Sequence, residues 1–306
     1  MIDIREINAD ELEQWIGVAG RVRADRQGGA AEYVDWKRQA EDMAWFIAAK
    51  GGQDAGAALA YVGWHSKPGT GHGEVFVLPE LRGTGLGSAL YVRVAEWVQE
   101  RGCITLETTV AEDDAESLAW VDRRGFREIG RNSRMVLDLT AIEAPAIDPP
   151  DGVEIVTWAE RPELAPGLYT VACEAYPDVP GDEGTPMDSY EEWLRKDMQG
   201  AGDRPEATFV AIVDGKVAGY AKLSLSTSDT QVAYHDMTGV LRAYRGRGIA
   251  AALKRTQIAW AKQAGYEKLQ TANEVRNEPI RRLNARHGYK LEPGLVTLRD
   301  TLAGPD

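Results

Sequence analysis

Apolar and polar positions along this chain group into short runs of two kinds. From Ala207 to Ser226 the stretch ATFVAIVDGKVAGYAKLSLS is apolar and β-branched on either side of Asp214-Gly215, the pattern of a hairpin around a tight turn. Ahead of it, VEIVTWAE (153–160) predicts a strand, and PELAPGLYTVACEAYP (162–177) and MDSYEEWLRKDM (187–198) predict helices. After it, QVAYHDMTGVL (231–241) predicts another strand. GIAAALKRTQIAWAKQAG (248–265) predicts a helix with Ile249, Leu253, Thr256 and Trp260 on one face and Gly265 as its stop. KLQTANEV (268–275) and NEPIRRLNARHG (277–288) then predict a strand and a helix before the closing strands.

The first half gives the same order: IDIREIN, two helices through about Asp42, AWFIAA, AALAYVGW, GEVFVL, a glycine turn, a helix over GLGSALYVRVAEWVQERG, CITLETTV, a helix over DAESLAWVDRRG, and RMVLDL. The repetition extends to individual residues. VLPELRGTGLGSAL (77–90) matches VLRAYRGRGIAAAL (240–253), pairing Arg82 with Arg245 at an offset of 163 (245 − 82). DRRGF matches NARHGY when Gly125 is set on Gly288, again 163 (288 − 125). Two landmarks with one long offset indicate a duplicated domain, since solenoid repeats are far shorter. AIEAPAIDPPDG (141–152), with three prolines, reads as the linker between residues 1–140 and 153–306. The fold class expected is α+β of the α/β sandwich type, in two tandem domains. Each is a mixed, mostly antiparallel sheet flanked by helices on both faces.

Composition narrows the setting. With 43% hydrophobic and 27% charged residues the 306-residue chain is globular. It has no apolar run of membrane-spanning length, and its start, MIDIREINADE, lacks the basic-then-apolar pattern of a signal peptide. A cytoplasmic protein with no membrane partner is expected. Cys103 and Cys173 form no CxxC and no framework of bridges. A net charge of −13 argues against a nucleic-acid surface. It agrees with an amine-bearing partner, and equally with acidity that simply keeps the protein in solution. His65, His72, His235 and His287 show no ligand spacing, so no metal is expected. Oligomeric state is left open by the sequence.

The candidate chemistry lies in the glycine turns. Neither carries the Lys-Ser/Thr pair of a triphosphate P-loop. Neither follows the first strand of a βαβ unit or completes the three glycines of a dinucleotide fingerprint. What remains is Arg-Gly-x-Gly-x-Gly/Ala opening a long helix, where free amides and the helix dipole favour an anion. The residues in place are Arg82, Gly83, Thr84, Gly85, Leu86, Gly87 and Ser88 in the first copy and Arg245, Gly246, Arg247, Gly248, Ile249 and Ala250 in the second. Val77 and Val240 end the preceding strands, and Arg242 or Arg247 could add a charge to Arg245.

A strand ending in valine, this turn, a further strand and a helix closing on Gly-Phe or Gly-Tyr resemble the GCN5-related N-acetyltransferase (GNAT) family across both halves. The resemblance implies an acetyl-CoA site with the pyrophosphate on the amides of 245–250 and the pantetheine arm between the fourth and fifth strands of the domain. It further implies direct attack of a small-molecule primary amine on the thioester, with an oxyanion held by a backbone N–H near Val240. Family members often place a tyrosine acid four residues before the glycine of Gly-Phe. Val121 and Asn284 stand there instead. Asn284 can hold a water or the coenzyme's amides, and valine cannot.

The second copy also has Asn273 and Asn277. Asn277 and Asn284 are two helical turns apart, and Asn277 before Glu278-Pro279 equally suits an N-cap. By strand alternation Tyr234, Asp236, Thr238 and Val240 share one side and His235 takes the other. Asp236 is the first candidate for general base and His235 the second. The first copy offers His72 and Glu74. The expected division makes the C-terminal domain catalytic and the N-terminal one structural or coenzyme-binding. A mycothiol-synthase-like or antibiotic-modifying acetyltransferase, and a non-catalytic acyl-CoA-binding module, are the alternatives. Against the first of these, a tyrosine acid would be expected where Asn284 stands. Asp178, Asp182, Glu183 and Asp188, in the loop DVPGDEGTPMDSY, could meet a cationic substrate or merely be solvated.

Overall fold

A computed structural model describes residues 2–23, 28–63, 67–180, 187–227 and 229–302. The chain divides into two compact units, unit 1 being Met1–Gly130 with Leu295–Asp306 and unit 2 being Arg131–Gly294.

In chain order the first repeat gives β1 (Ile2–Ile7), α1 (Leu12–Val22), α2 (Ala30–Gln39), β2 (Asp42–Lys50), β3 (Gln53–Val62) and β4 (Thr70–Val77). It continues with α3 (Leu86–Gln99), β5 (Thr105–Ala111), α4 (Ala115–Asp122) and β6 (Arg127–Asp138). The second repeat gives β7 (Val153–Thr157), α5 (Ala165–Ala175), α6 (Tyr190–Asp197), β8 (Asp203–Val213), β9 (Lys216–Leu225) and β10 (Val232–Val240). It ends with α7 (Ile249–Gln263), β11 (Lys268–Glu274), α8 (Glu278–Arg286) and β12 (Lys290–Thr301).

The closing strands change places. The sheet of unit 1 runs β1-β2-β3-β4-β5-β12, and that of unit 2 runs β6-β11-β10-β9-β8-β7. β12 pairs antiparallel with β5, Leu295 facing Ala111 through Thr301 facing Thr105. β6 pairs antiparallel with β11, Asp138 facing Lys268 through Asn132 facing Glu274. The sequence division at 140 therefore differs from the contact units, because RMVLDL closes unit 2 and the last strand of the chain closes unit 1. Both repeats offer equivalent edges to a closing strand, so pattern alone does not assign the partner.

In unit 1, β2 is buried on both faces. Met43, Trp45 and Ile47 pack toward the cluster of α1 and α2, whereas Ala44, Phe46 and Ala48 pack under α3 with Leu86, Leu90, Val94 and Trp97. Trp15 is the keystone of the first layer, edge-on to Tyr33 and Phe76, with its indole N–H donating to the Ala58 carbonyl at 2.9 Å. Glycines at 71 and 73 let α3 descend onto β4. A Cβ there would lie 2.4 Å from Val98 and 2.3 Å from Val94. β12 contributes Val296 and Leu298 to the same core.

Unit 2 repeats this layering. Trp193, Leu168, Val171, Tyr220 and Met237 form the core beneath α5 and α6, and Phe209, Val240, Ile249 and Leu253 the one beneath α7. Met135 and Leu137 of β6 join Leu269, Ile258 and Tyr289. Trp45, Trp158 and Trp193 are buried and Trp36 packs against the α1–α2 core, as expected of packing residues. Each such side chain fully buried contributes about 1.5–3 kcal/mol. Among the described residues no helix is long and apolar enough to cross a membrane.

Candidate functional site

The two glycine turns open their helices in the same way. Gly246 and Gly248 take φ of +77° and +83°, and Gly83 and Gly85 take +70° and +86°, conformations open to glycine and strained for other residues. The first main-chain bond onto the turn of α7 is Ala252 N–H to Gly248 O at 3.0 Å, and in α3 it is Ala89 N–H to Gly85 O at 3.1 Å. Among the described residues the amides of Gly246–Ala251 and Gly83–Ser88 are left without main-chain partners at the positive ends of long helices. That is a row of donors for an anion.

Next to each turn two parallel strands separate. β10 and β11 pair only from Val232–Lys268 to Tyr234–Gln270, and β4 and β5 only from Thr70–Thr105 to His72–Glu107. The strands then run on to Val240 and Glu274, and to Val77 and Ala111. The Leu241 N–H bonds the Ala218 carbonyl on β9 at 2.9 Å. Val240, one residue earlier, therefore turns its N–H and C=O into the opening. Arg245 Nε donates to that carbonyl at 2.9 Å. Val77 is oriented alike, since the Leu78 N–H bonds Ala55 on β3 at 3.2 Å.

Of the two separating strands β4 and β10, only β10 has a bulge against its antiparallel neighbour, between His235 and Met237. It overturns the simple alternation expected for YHDMTGV. Met237 and Gly239 face α5, and Val240 faces α7, yet His235 also faces α7 through Gln257. One extra residue in the strand reverses the sides beyond it. Asp236, at the bulge, points to the α5–α6 side, its carboxylate 2.6 Å from Lys222 Nζ.

Under α7 the bulge sets up a buried polar cluster. His235 Nδ1 donates to Gln257 Oε1 at 3.1 Å, and Nε2 accepts from the Tyr289 hydroxyl. Burial, with Lys254 nearby, holds the His235 imidazole well below its usual range, and so neutral. Lys254 is 1% exposed, and burial alone pushes its amine down to about 7. Its Nζ lies 5.7 Å from the centre of the Tyr289 ring. Across the opening, Asn284 Nδ2 donates to Asn273 Oδ1 at 3.0 Å. Asn284 Oδ1 and Gln257 Nε2 are buried with no hydrogen-bond partner among the described residues. A buried group in that state costs free energy until something bonds it.

On the other face of the sheet, Lys222 is 3% exposed and bonds the Asp197 carbonyl, Asp203 Oδ1 at 2.8 Å and Asp236. Burial opposes its charge, but Asp236 and Asp203 outweigh that and hold it above the usual lysine range.

Unit 1 fills the same positions differently. At the 163-residue offset, Asn284, Asn273, Gln257, Lys254 and Tyr289 correspond to Val121, Val110, Val94, Tyr91 and Phe126. These pack in the core of unit 1. Its turn is also more acidic in surroundings: Arg82 is held by Glu116 at 2.8 Å and Asp114 at 3.5 Å. Arg124 bonds Ser88 Oγ at 2.7 Å and lies 3.4 Å from the centre of the Trp120 ring.

A model of the acetyltransferase (GNAT) family matches residues 4–126 and 165–289. This chain belongs to the GNAT family. Among solved structures, a tandem GNAT protein from the clavulanic acid biosynthesis pathway aligns over 100% of both chains at 21% identity, with a TM-score of 0.80. A GNAT from Sphaerobacter thermophilus aligns over 100% of this chain and 97% of its own at 20% identity, with a TM-score of 0.76. A fungal GCN5-related glucosamine N-acetyltransferase region aligns over 98% of this chain and 38% of that one at 16% identity, with a TM-score of 0.71. At these identities the likeness is one of fold. None of the curated proteins matches the chain.

Within this GNAT frame the predicted residues are placed as follows. Arg242 and Arg245 both bind Asp178, at 2.6 and 2.8 Å, and their hydrogen bonds hold its carboxyl below the usual range. Arg247 stacks 5.1 Å from the centre of the Tyr244 ring. Ile249 and Leu86 bury their side chains, so they offer the turns only their amides. Thr84 Oγ1 is spent on the Leu81 carbonyl at 2.7 Å, and Gly87 lies beside Trp120. Asn277 takes the N-cap position of α8, but its side chain makes no cap bond. His72 stacks on Tyr61 with Nδ1 3.8 Å from Glu107, and Glu74 accepts from Thr109 at 3.4 Å. Asp188 pairs with Lys196 at 2.9 Å. His65, Asp182 and Glu183 lie outside the described residues.

Reading one repeat at a time missed Lys222, Lys254, Gln257 and Tyr289. Each stands where the first repeat has an apolar or aromatic residue, and that contrast is the signal that exposes them.

Proposed function

We propose that this protein transfers the acetyl group of acetyl-CoA to a primary amine of a small molecule, with unit 2 as the catalytic unit. The observation that carries the reading is the polar lining of the opening between β10 and β11. Asn284 is fully buried there with an unbonded oxygen, where unit 1 has valine. Acetyl-CoA supplies an acyl group already activated as a thioester.

The residues fit that group. The free amides of Gly246–Ala251 suit its pyrophosphate, with Arg245, Arg247 and Arg242 adding charge once Asp178 yields them. Asn284 and Asn273 offer amide donors and acceptors to the pantetheine arm, and Asn277 flanks them. The Val240 N–H, turned into the opening, is placed to hold a carbonyl oxygen. Asp236, on the α5–α6 side, receives the proton of the acceptor amine, directly or through water. His235 is neutral, with both ring nitrogens engaged on the opposite face, and its role is to fix the bulge. In unit 1 the same cradle is crossed by Arg124 and ringed by Asp114 and Glu116, which suits a structural unit better than an anion site.

The test replaces Arg245 by Glu and, separately, Arg82 by Glu, and measures thiol release with a panel of amines. Arg245→Glu is expected to lower kcat/KM by at least tenfold through lost charge-assisted bonds, and Arg82→Glu to leave it within about twofold. Equal losses would sink the division of labour. A second reading, an acyl-CoA-binding module without turnover, is favoured by the absence of the family's tyrosine at Asn284. Calorimetric binding of acetyl-CoA with no thiol release on any amine would establish it.

A further inference from the structure

Lys222 is the most deeply buried ion pair partner on the acceptor side of unit 2. Its side chain is 4% exposed and that of Asp203 9%, whereas the Asp236 side chain is 47% exposed. Taking an ammonium out of water costs several kcal/mol, repaid only by close, well-bonded partners. The fold does not require that cost. By ladder register Lys222 and Asp203 correspond to Leu59 and Met43 in unit 1, and Asp236, the extra residue of the bulge, has no counterpart there. An uncharged set completes the same sheet there.

The geometry of the ions shows what they do. Asp203 is fully used: Oδ1 takes Lys222 at 2.8 Å, and Oδ2 takes the Gly200 N–H at 2.8 Å. Asp236 is half used. Its Oδ2 is 2.6 Å from Lys222, and no described residue bonds its other oxygen. Asp236 is also the extra residue of the bulge, without a ladder partner on β9, so its neighbours in the strand do not fix its direction. Lys222, clamped by Asp203 and the Asp197 carbonyl, does so instead.

We propose that Lys222 is a positioning residue that turns the free oxygen of Asp236 toward the opening, where it docks the acceptor as its ammonium ion. The inference rests on the proposed function for the identity of that face as the acceptor side, but its test needs no turnover. A protonated amine gains a charge-assisted bond to an oriented carboxylate, and an uncharged molecule of the same shape gains none. The direction of the effect separates positioning from simple field. Removing Lys222 makes the site one charge more negative, which by field alone would tighten a cation.

The experiment is titration calorimetry of the full chain with 1,4-diaminobutane as the cationic probe and 1,4-butanediol as its uncharged counterpart. The diamine is expected to bind at least about tenfold more tightly than the diol. Lys222→Met is expected to weaken the diamine by about tenfold, and Lys222→Arg to restore most of it. Lys222→Met leaves the buried Asp203 carboxylate without its cation. The double variant Lys222→Met/Asp203→Asn therefore removes the pair at constant net charge, and should show the same loss with an unchanged melting temperature. Equal or undetectable binding of the two probes overturns the proposal. So does diamine binding by either Lys222→Met protein as tight as, or tighter than, that of the native chain. Absence of acetyl transfer to any amine would overturn the proposed function and leave these binding results to be read by themselves.

Discussion

Lys254 shows how much one position can differ between two copies of a fold. Its counterpart Tyr91 meets Phe126 edge-on at 6.1 Å, an apolar contact, whereas Lys254 meets the Tyr289 ring with an amine that burial pushes to about 7. His235 on β10, Tyr289 just before β12 and His287 after α8 surround it electrostatically, with no carboxylate among these described residues. The folded amine binds its proton more weakly than the unfolded one, whose ordinary value is 10.5. Between about pH 7 and 10 the unfolded chain thus holds more protons, and stability rises with pH across that window. Below pH 7 both states are protonated, and the full penalty, a few kcal/mol at most, applies. Urea midpoints measured from pH 7 to 9.5 should climb in the native chain. In Lys254→Met they should climb less and start higher at pH 7. Identical slopes would show that Lys254 is solvated.

The elements were legible in proportion to how local their causes are. The glycine turns could be read directly, because positive φ at 83, 85, 246 and 248 demands glycine whatever surrounds it. The strands of β2, β3, β8 and β9 were legible as apolar runs, since sheets covered on both faces need them. The bulge at Asp236 was not. Alternation assumes one residue per ladder step, and nothing in YHDMTGV marks the residue that breaks it. Val240 was therefore expected on the side of Asp236 and lies instead with His235 under α7, while the glycines of the turns were read where the backbone takes positive φ. Nor could pattern show that Gly294 is pressed against its neighbour. A Cβ there would sit 1.9 Å from the Asn132 carbonyl oxygen. Gly294→Val must displace the backbone at Asn132 within unit 2, and is expected to lower the urea midpoint by the equivalent of about 3 kcal/mol or more, as severe backbone clashes do. Gly246→Val, where nothing lies within 4 Å, adds only the strain of its φ, about 1–3 kcal/mol.

At the scale of the whole molecule, the repeat announced two domains and the exchange of β6 and β12 redistributed them. Either repeat expressed alone, cut within the linker at 141–152, lacks the closing strand its sheet uses. Each half by itself should show weak near-ultraviolet dichroism and broad unfolding, and coexpression of both halves should restore a sharp transition. Sharp, independent melting of both halves would mean that each repeat can close on its own strand. The exchange also sets a timetable for synthesis. Unit 2 is one continuous stretch, Arg131–Gly294, and can close as soon as the ribosome releases it. Unit 1 begins emerging first, yet waits for Leu295–Asp306, which is made only after the whole of unit 2. Translation therefore completes the units in the reverse of the order in which it starts them, and the Trp15 and Phe46 layers of the first repeat must persist with an open edge on β5 until the final strand arrives.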